Sequence, residues 1–211
     1  MGLEKLFYGS IYGITCFEHS LSRSNEYVVS RMLEAGVRII QYREKYRSKR
    51  IKHEECLLLR KITKKYNALF IVNDDIDLAV LCKADGIHIG QDDLPLKEAR
   101  KLISRKQFIG ISTHSPAQAM EAVKAGADYI GAGPVFTTAT KEGAGRPVGT
   151  DYIRYVKENI KLPFVAIGGI KEHNISEVLK AGATCISLVT EITAAKNIKQ
   201  KVKNILKLMP E

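Results

Sequence analysis

Eight short apolar runs alternate with eight helix-patterned stretches along 211 residues, and this predicts an α/β chain closed into a (β/α)8 TIM barrel, a single domain over residues 1–211. Three observations carry the expectation. The runs are continuous and β-branched, as in Phe70-Ile71-Val72, which is how parallel strands buried on both faces read. Small-residue joints recur before the second, fourth, sixth and eighth strands: Ala35-Gly36-Val37, Ala84-Asp85-Gly86, Ala125-Gly126-Ala127-Asp128 and Ala181-Gly182-Ala183. A recurrence every two βα units suits a barrel of four quarters. No G-x-G-x-x-G is present to mark the open dinucleotide-binding sheet that shares the same alternation.

In order, Ile11 to Thr15 reads as the first strand. Val28, Val29, Met32 and Leu33 give the stretch from Asn25 to Ala35 a helical spacing, which Gly36 stops before the strand Val37 to Arg43. Lys45-Tyr46-Arg47-Ser48-Lys49-Arg50 reads as a dense basic loop, and Leu58, Leu59, Ile62 and Tyr66 mark the next helix. Strands at Leu69 to Val72, Gly86 to Ile89 and Phe108 to Ser112 alternate with helices at Ile76 to Cys82 and Leu96 to Ile103. Pro116, following Ser115, opens a helix to about Ala125, because proline fits the first helical turn. The sixth strand is Tyr129 to Ala132, and a long loop precedes the helix Tyr152 to Asn159. Phe164 to Ile167 and Cys185 to Leu188 are the last strands. The helix from Ile175 to Ala181 lies between them, and the last helix is striped by Ile198, Val202 and Ile205.

An apolar fraction of 45% indicates an ordinary folded chain. No apolar run approaches the roughly 20 residues that span a bilayer. Met1-Gly2-Leu3-Glu4-Lys5 lacks a signal-peptide core, so a cytoplasmic location is expected. Cys16, Cys56, Cys82 and Cys185 are scattered, with no C-x-x-C pair, and read as reduced core residues. The net charge of +10 points to anionic partners, phosphorylated small molecules or nucleic acid. Part of it, from Lys196 to Lys207, reads as a solvated helix face.

In a barrel, chemistry collects where strands end. After the second strand, alternation sets Gln41, Arg43 and Lys45 on one side, an amide that can read a heterocycle edge beside two cations suited to a pyrophosphate. The third and fourth strands lead into Asn73-Asp74-Asp75 and Gln91-Asp92-Asp93. Carboxylates after adjacent strands can hold a hard divalent cation; helix capping is the alternative at each position. Ser112, Thr113 and His114 follow the fifth strand. The loop after the sixth, Gly133 to Gly145, is long enough to act as a lid. Gly168-Gly169 and Val189-Thr190 end the last two strands, where this fold commonly binds phosphate through backbone N–H groups.

At these positions the chain resembles the thiamine phosphate synthase family, also called thiamine-phosphate pyrophosphorylase, over nearly its whole length. The shared motifs are Gln41-Tyr42-Arg43-Glu44-Lys45, Val72-Asn73-Asp74-Asp75, His88-Ile89-Gly90-Gln91-Asp92-Asp93, Gly133 to Lys141, and Ile167-Gly168-Gly169-Ile170. The resemblance implies a (β/α)8 barrel in which Gln41, Arg43, Lys45, Asn73, Ser112 and Lys141 meet a pyrimidine diphosphate. It also implies that Asp74 and Asp93 bind Mg²⁺ and that Thr138, Thr140, Gly168, Val189 and Thr190 hold a thiazole phosphate or its carboxylated form. Arg43, Lys45, Lys141 and Ser112 would assist the transfer itself. Tyr42 stands where leucine is usual, Thr190 replaces a serine, and Glu142 to Pro147 departs from the familiar continuation of the loop. Expected partners are these small molecules, with no nucleic acid and no membrane; a homo-oligomer is compatible with the sequence.

Two rival readings remain at this level. A thiazole tautomerase on the same barrel would use His114 as acid or base, and would need neither metal ligands nor a diphosphate clamp. A regulatory or nucleic-acid-binding relative would use the Lys45 to Lys52 cluster, although no nucleic-acid motif accompanies it.

Overall fold

A computed structural model describes residues 2–140, 143 and 145–210. Eight parallel strands close into a barrel in sequence order: β1 (Ser10–Ile14), β2 (Ile39–Tyr42), β3 (Leu69–Asn73), β4 (Gly86–Ile89), β5 (Phe108–Thr113), β6 (Tyr129–Ala132), β7 (Phe164–Ile167) and β8 (Cys185–Ser187). Closure is sealed by the pairing of β1 with β8, Ser10 opposite Cys185. The helices are α1 (Leu3–Phe7), α2 (Asn25–Glu34), α3 (Lys49–Lys65), α4 (Ile76–Leu81), α5 (Leu96–Leu102), α6 (Pro116–Ala125), α7 (Gly149–Asn159), α8 (Ile175–Lys180), α9 (Val189–Thr193) and α10 (Ile198–Leu206).

Alternation along each strand separates two apolar layers. Outward residues such as Ile40, Val72, Ile87 and Ile109 pack beneath the helices in the larger core, while Tyr12, Ile39, Ile71, Tyr129 and Val165 fill the barrel. The helix α1 lies outside the expected eight. Five residues carry too few turns for a periodicity, yet Phe7 enters the barrel from below, its ring 5.2 Å from that of Tyr129. The helix α9 was also not expected. Val189 and Thr190 read as β-branched strand, but β8 stops at Ser187 and the chain turns directly into a helix.

A third difference concerns the basic stretch, which is loop only to Ser48. Ser48 caps α3 by accepting from Ile51 N, so Lys49 and Arg50 belong to the helix. Several cations here are matched internally: Lys49 and Lys52 both reach Asp75, at 2.5 and 3.0 Å, and Arg47 pairs with Glu55 while lying over the Phe17 ring.

Two of the small-residue joints carry an aspartate, and both aspartates do the same work. Asp85 accepts two bonds from Arg60 of α3, at 2.7 and 2.9 Å, and one from Phe70 N at the foot of β3. Asp128 repeats this one strand pair later with Arg100 and Ile109 N. Each ties a strand start to a helix through a partly buried pair. Removing one partner strands the other, so Asp85→Ala is expected to cost about 2 kcal/mol, less than for a fully buried pair because both groups retain some solvent. Thermal unfolding should shift down by about 4–8 °C; an unchanged midpoint would refute the role.

Candidate active site

The strand ends enclose a cavity of about 380 Å³ at the mouth of the barrel. Gln41, Arg43, Asn73, Ser112, Thr138, Thr140, Gly168, Val189 and Thr190 all line it. Lys45 lies in an adjoining polar cleft of about 160 Å³, which shares Arg43, His19 and Thr140 with the main cavity. Lys141 lies outside the described residues.

The buried end of β2 explains the first group. Ile40 and Tyr42 point outward, Tyr42 donating to Glu55 at 2.7 Å, and Gln41 therefore points in. Its amide nitrogen donates to the Tyr12 hydroxyl at 3.1 Å. Arg43 and Lys45 follow the strand, where the backbone at Arg43 is pinned by Thr15 Oγ1.

The acidic group lies on the rim next to Lys45 and Arg43. Asp74 sits just past β3 with φ 58°, a left-handed conformation that aspartate tolerates better than most residues. Burial pushes its carboxyl up to about 6, helped by Asp93 beside it and opposed by Lys45 and Arg43. Asp93 is oriented by Gly90 N, which donates to Oδ2 at 2.6 Å. Crowded carboxyls of this kind are relieved by a bound cation. Among the described residues no group of three or more His, Cys, Asp or Glu side chains gathers, so a metal here would need ligands from elsewhere. Mg²⁺ commonly takes one or two carboxylates and completes its shell with phosphate oxygens and water. Asp75 occupies the first position before α4 but makes no side-chain cap, because Lys49 and Lys52 hold it; Asp92 is exposed.

On the opposite side, the β6 loop lies along β7. Val135 N donates to Ile167 O and Phe136 N to Gly168 O, both at 2.9 Å. That approach accounts for the two glycines. A Cβ on Gly168 (φ 100°) would stand 2.4 Å from Pro134 Cβ, and one on Gly169 (φ 64°) 2.5 Å from the Thr137 carbonyl. Their smallness accommodates the neighbouring loop, in addition to any ligand. Thr138 and Thr140 share a hydroxyl contact at 3.3 Å, and His114 is fastened to the same loop through the Gly133 carbonyl.

Several lining residues were not anticipated. Tyr12 and His88 form the polar floor, His88 Nε2 lying 3.0 Å from Ser112 Oγ. His88 stands within a motif read for its carboxylates, although Ile87 and Ile89 point outward and alternation alone turns it inward. Lys171 donates to Thr190 Oγ1 at 2.9 Å and approaches Glu191 at 3.4 Å, bridging the loop after β7 and the helix α9. As a lone lysine in a lysine-rich chain, it carried no signal.

Comparison with known proteins agrees with this geometry. The thiamine monophosphate synthase family profile matches residues 11–192. A thiamine-phosphate synthase of Pelotomaculum thermopropionicum is 58% identical over 202 residues, covering 96% of this chain and 93% of the relative. One from Caldicellulosiruptor saccharolyticus is 52% identical, covering 96% and 91%. The solved structure of a thiamine phosphate pyrophosphorylase from Pyrococcus furiosus superposes with a TM-score of 0.89 at 34% identity, covering 98% of this chain and 97% of that one. With its closed barrel, its cavity and these relatives, the chain belongs to the thiamine monophosphate synthase family.

Proposed function

We propose that the chain transfers a hydroxymethylpyrimidine group from its diphosphate to the ring nitrogen of a hydroxyethylthiazole phosphate, or its carboxylated form, giving thiamine phosphate and pyrophosphate, with carbon dioxide released as well from the carboxylated form. The carrying observation is the cavity itself: an amide at Gln41, the Arg43 cation, a hydroxyl at Ser112, Gly168 and Thr190 all line one space. In the reaction the methylene carbon–oxygen bond breaks, its electron pair leaves with pyrophosphate, and the thiazole nitrogen supplies the new bond. The departing group is a large anion, so the chain's contribution is fixed positive charge in a partly dry site. Arg43, Lys45 and Lys141 supply it, and Gln41 and Asn73 hold the pyrimidine. Magnesium bound at Asp74 and Asp93 would neutralise further charge on the diphosphate. No side-chain nucleophile is required.

Incubation with both substrates and Mg²⁺ should yield thiamine phosphate, detected by oxidation to its fluorescent product; no product from either thiazole form would refute the reading. A tautomerase would have no use for the cationic diphosphate side. The internal pairing of Lys49, Lys52 and Arg47 leaves the basic cluster less suited to a nucleic-acid surface. Among the described residues no helix is long and apolar enough to cross a membrane. The small phosphorylated substrates support a cytoplasmic location for the reaction.

Lys171 joins the phosphate side of this reading. Its ammonium, at Thr190, is within reach of an anion held by the loop after β7 and the helix α9. Lys171→Met should raise KM for the thiazole phosphate about tenfold, the worth of one charged hydrogen bond, and leave KM for the pyrimidine diphosphate unchanged. Equal effects on both substrates would remove Lys171 from that subsite.

A further inference from the structure

Beneath the cavity a line of hydrogen bonds crosses the barrel from wall to wall. Gln41 Nε2 donates to Tyr12 Oη at 3.1 Å, Tyr12 Oη meets Tyr129 Oη at 2.8 Å, Tyr129 Oη meets His88 Nδ1 at 3.1 Å, and His88 Nε2 meets Ser112 Oγ at 3.0 Å. Its ends, Gln41 on β2 and Ser112 on β5, both line the cavity, and Tyr129 itself does not. The surroundings are apolar, with Ile14, Ile39, Ile71 and Val165 packed in the same interior cluster.

A phenol has one proton to give. Because Gln41 donates into Tyr12, the Tyr12 proton goes to Tyr129 and the Tyr129 proton to His88 Nδ1. That nitrogen is then an acceptor, the imidazole proton is on Nε2, and it is donated to Ser112 Oγ. With its oxygen already accepting, Ser112 turns its own proton toward the cavity. Reversing any one link leaves two donors or two acceptors facing each other in a dry interior, so the direction is set as a whole. Burial holds both phenols above their ordinary titration range, so neither proton is lost.

The backbone makes room for this line. A Cβ on Gly110 would fall 2.0 Å from the Tyr129 ring, and one on Gly131 would fall 3.3 Å from His88 Cε1. Two strands therefore carry glycine where the relay passes.

We propose that Tyr12, Tyr129 and His88 form a one-way hydrogen-bond relay that couples Gln41 to Ser112, holds His88 as its Nε2–H tautomer, and makes Ser112 a hydrogen-bond donor to the pyrimidine diphosphate. Tyr129 is a positioning residue, acting on the substrate through its neighbours. The substrate named here rests on the function proposed above; the relay's direction does not.

Nitrogen-15 NMR of histidine-labelled protein reads the direction without substrate. His88 is expected to show a protonated Nε2 and an unprotonated Nδ1; the opposite tautomer overturns the inference. Tyr129→Phe keeps the ring and removes the link. It should raise KM for the pyrimidine diphosphate about tenfold while KM for the thiazole phosphate stays within twofold. If that variant does not fold, Tyr12→Phe breaks the adjacent link and carries the same expectation. A pyrimidine KM within twofold of the unmodified protein, or equal rises for both substrates, overturns the positioning role. Should the unmodified chain make no thiamine phosphate, the proposed function fails while the tautomer measurement still decides the relay.

Discussion

Asp93→Ala is expected to lower Mg²⁺-dependent turnover about a thousandfold without unfolding the barrel. Several kcal/mol of charge stabilisation is the usual worth of a metal on a departing phosphate, and each 1.4 kcal/mol is a factor of ten. Asp93 is exposed and bonded to Gly90 N, so its removal opens no core and leaves no buried group stranded. Asp74 is the other half of the proposed metal site, but it is partly buried and sits in a left-handed turn, so substitution there would mix binding with local strain. Asp93 is the cleaner probe. Calorimetric titration of Mg²⁺ in the presence of pyrophosphate should show binding to the unmodified protein and its loss in the variant. Near-normal turnover would sink the assignment of Asp93 to the metal, whatever became of the rest of the site.

The extent to which this site could be read from the sequence follows from where each signal lies. Gln41 and Ser112 were legible because a buried parallel strand is apolar, and a polar side chain at its end has to face something. Tyr12 and His88 sit one layer lower, inside runs that read simply as strand. An aromatic there looks like core, and a histidine inside His88-Ile89-Gly90 is overshadowed by the carboxylates that follow. Whether Tyr12 and Tyr129 pack or conduct depends on which strand faces which, and periodicity does not report that. Gly168 and Gly169 were legible as glycines, but the need for them comes from Pro134 and Thr137, more than thirty residues earlier in the chain. The helix α9 escaped notice because β-branched residues favour strand locally while barrel closure decides the outcome. The loop reading of Lys49 and Arg50 failed on charge, which masked the Ser48 cap in front of them.

Gly110 shows the same limit in its sharpest form, and its replacement has the largest expected effect on stability. In sequence it is one glycine inside an apolar run. In the barrel it lies opposite both His88 of β4 and Tyr129 of β6, and the three share the inward face. A methyl group at this position would lie 2.0 Å from Tyr129 Cζ and 2.4 Å from Cε1 and Cε2, so the ring has to leave. It has nowhere to go, since the Phe7 ring is 5.2 Å away, the Tyr12 ring 6.1 Å and the His88 ring 5.5 Å. Overpacking a close-packed interior to this degree costs about 3 kcal/mol. Gly110→Ala should therefore lower the unfolding midpoint by about 6–12 °C. The cause can be isolated by shortening the ring. In a Tyr129→Ala background the three atoms nearest the methyl are gone, so the further cost of Gly110→Ala should fall below about 1 kcal/mol, a strong departure from additivity. Additive costs would mean that Gly110 answers to its own backbone and not to the tyrosine across the strand. Coupled costs would tie the smallest residue in the barrel to the hydroxyl line that orients its active site.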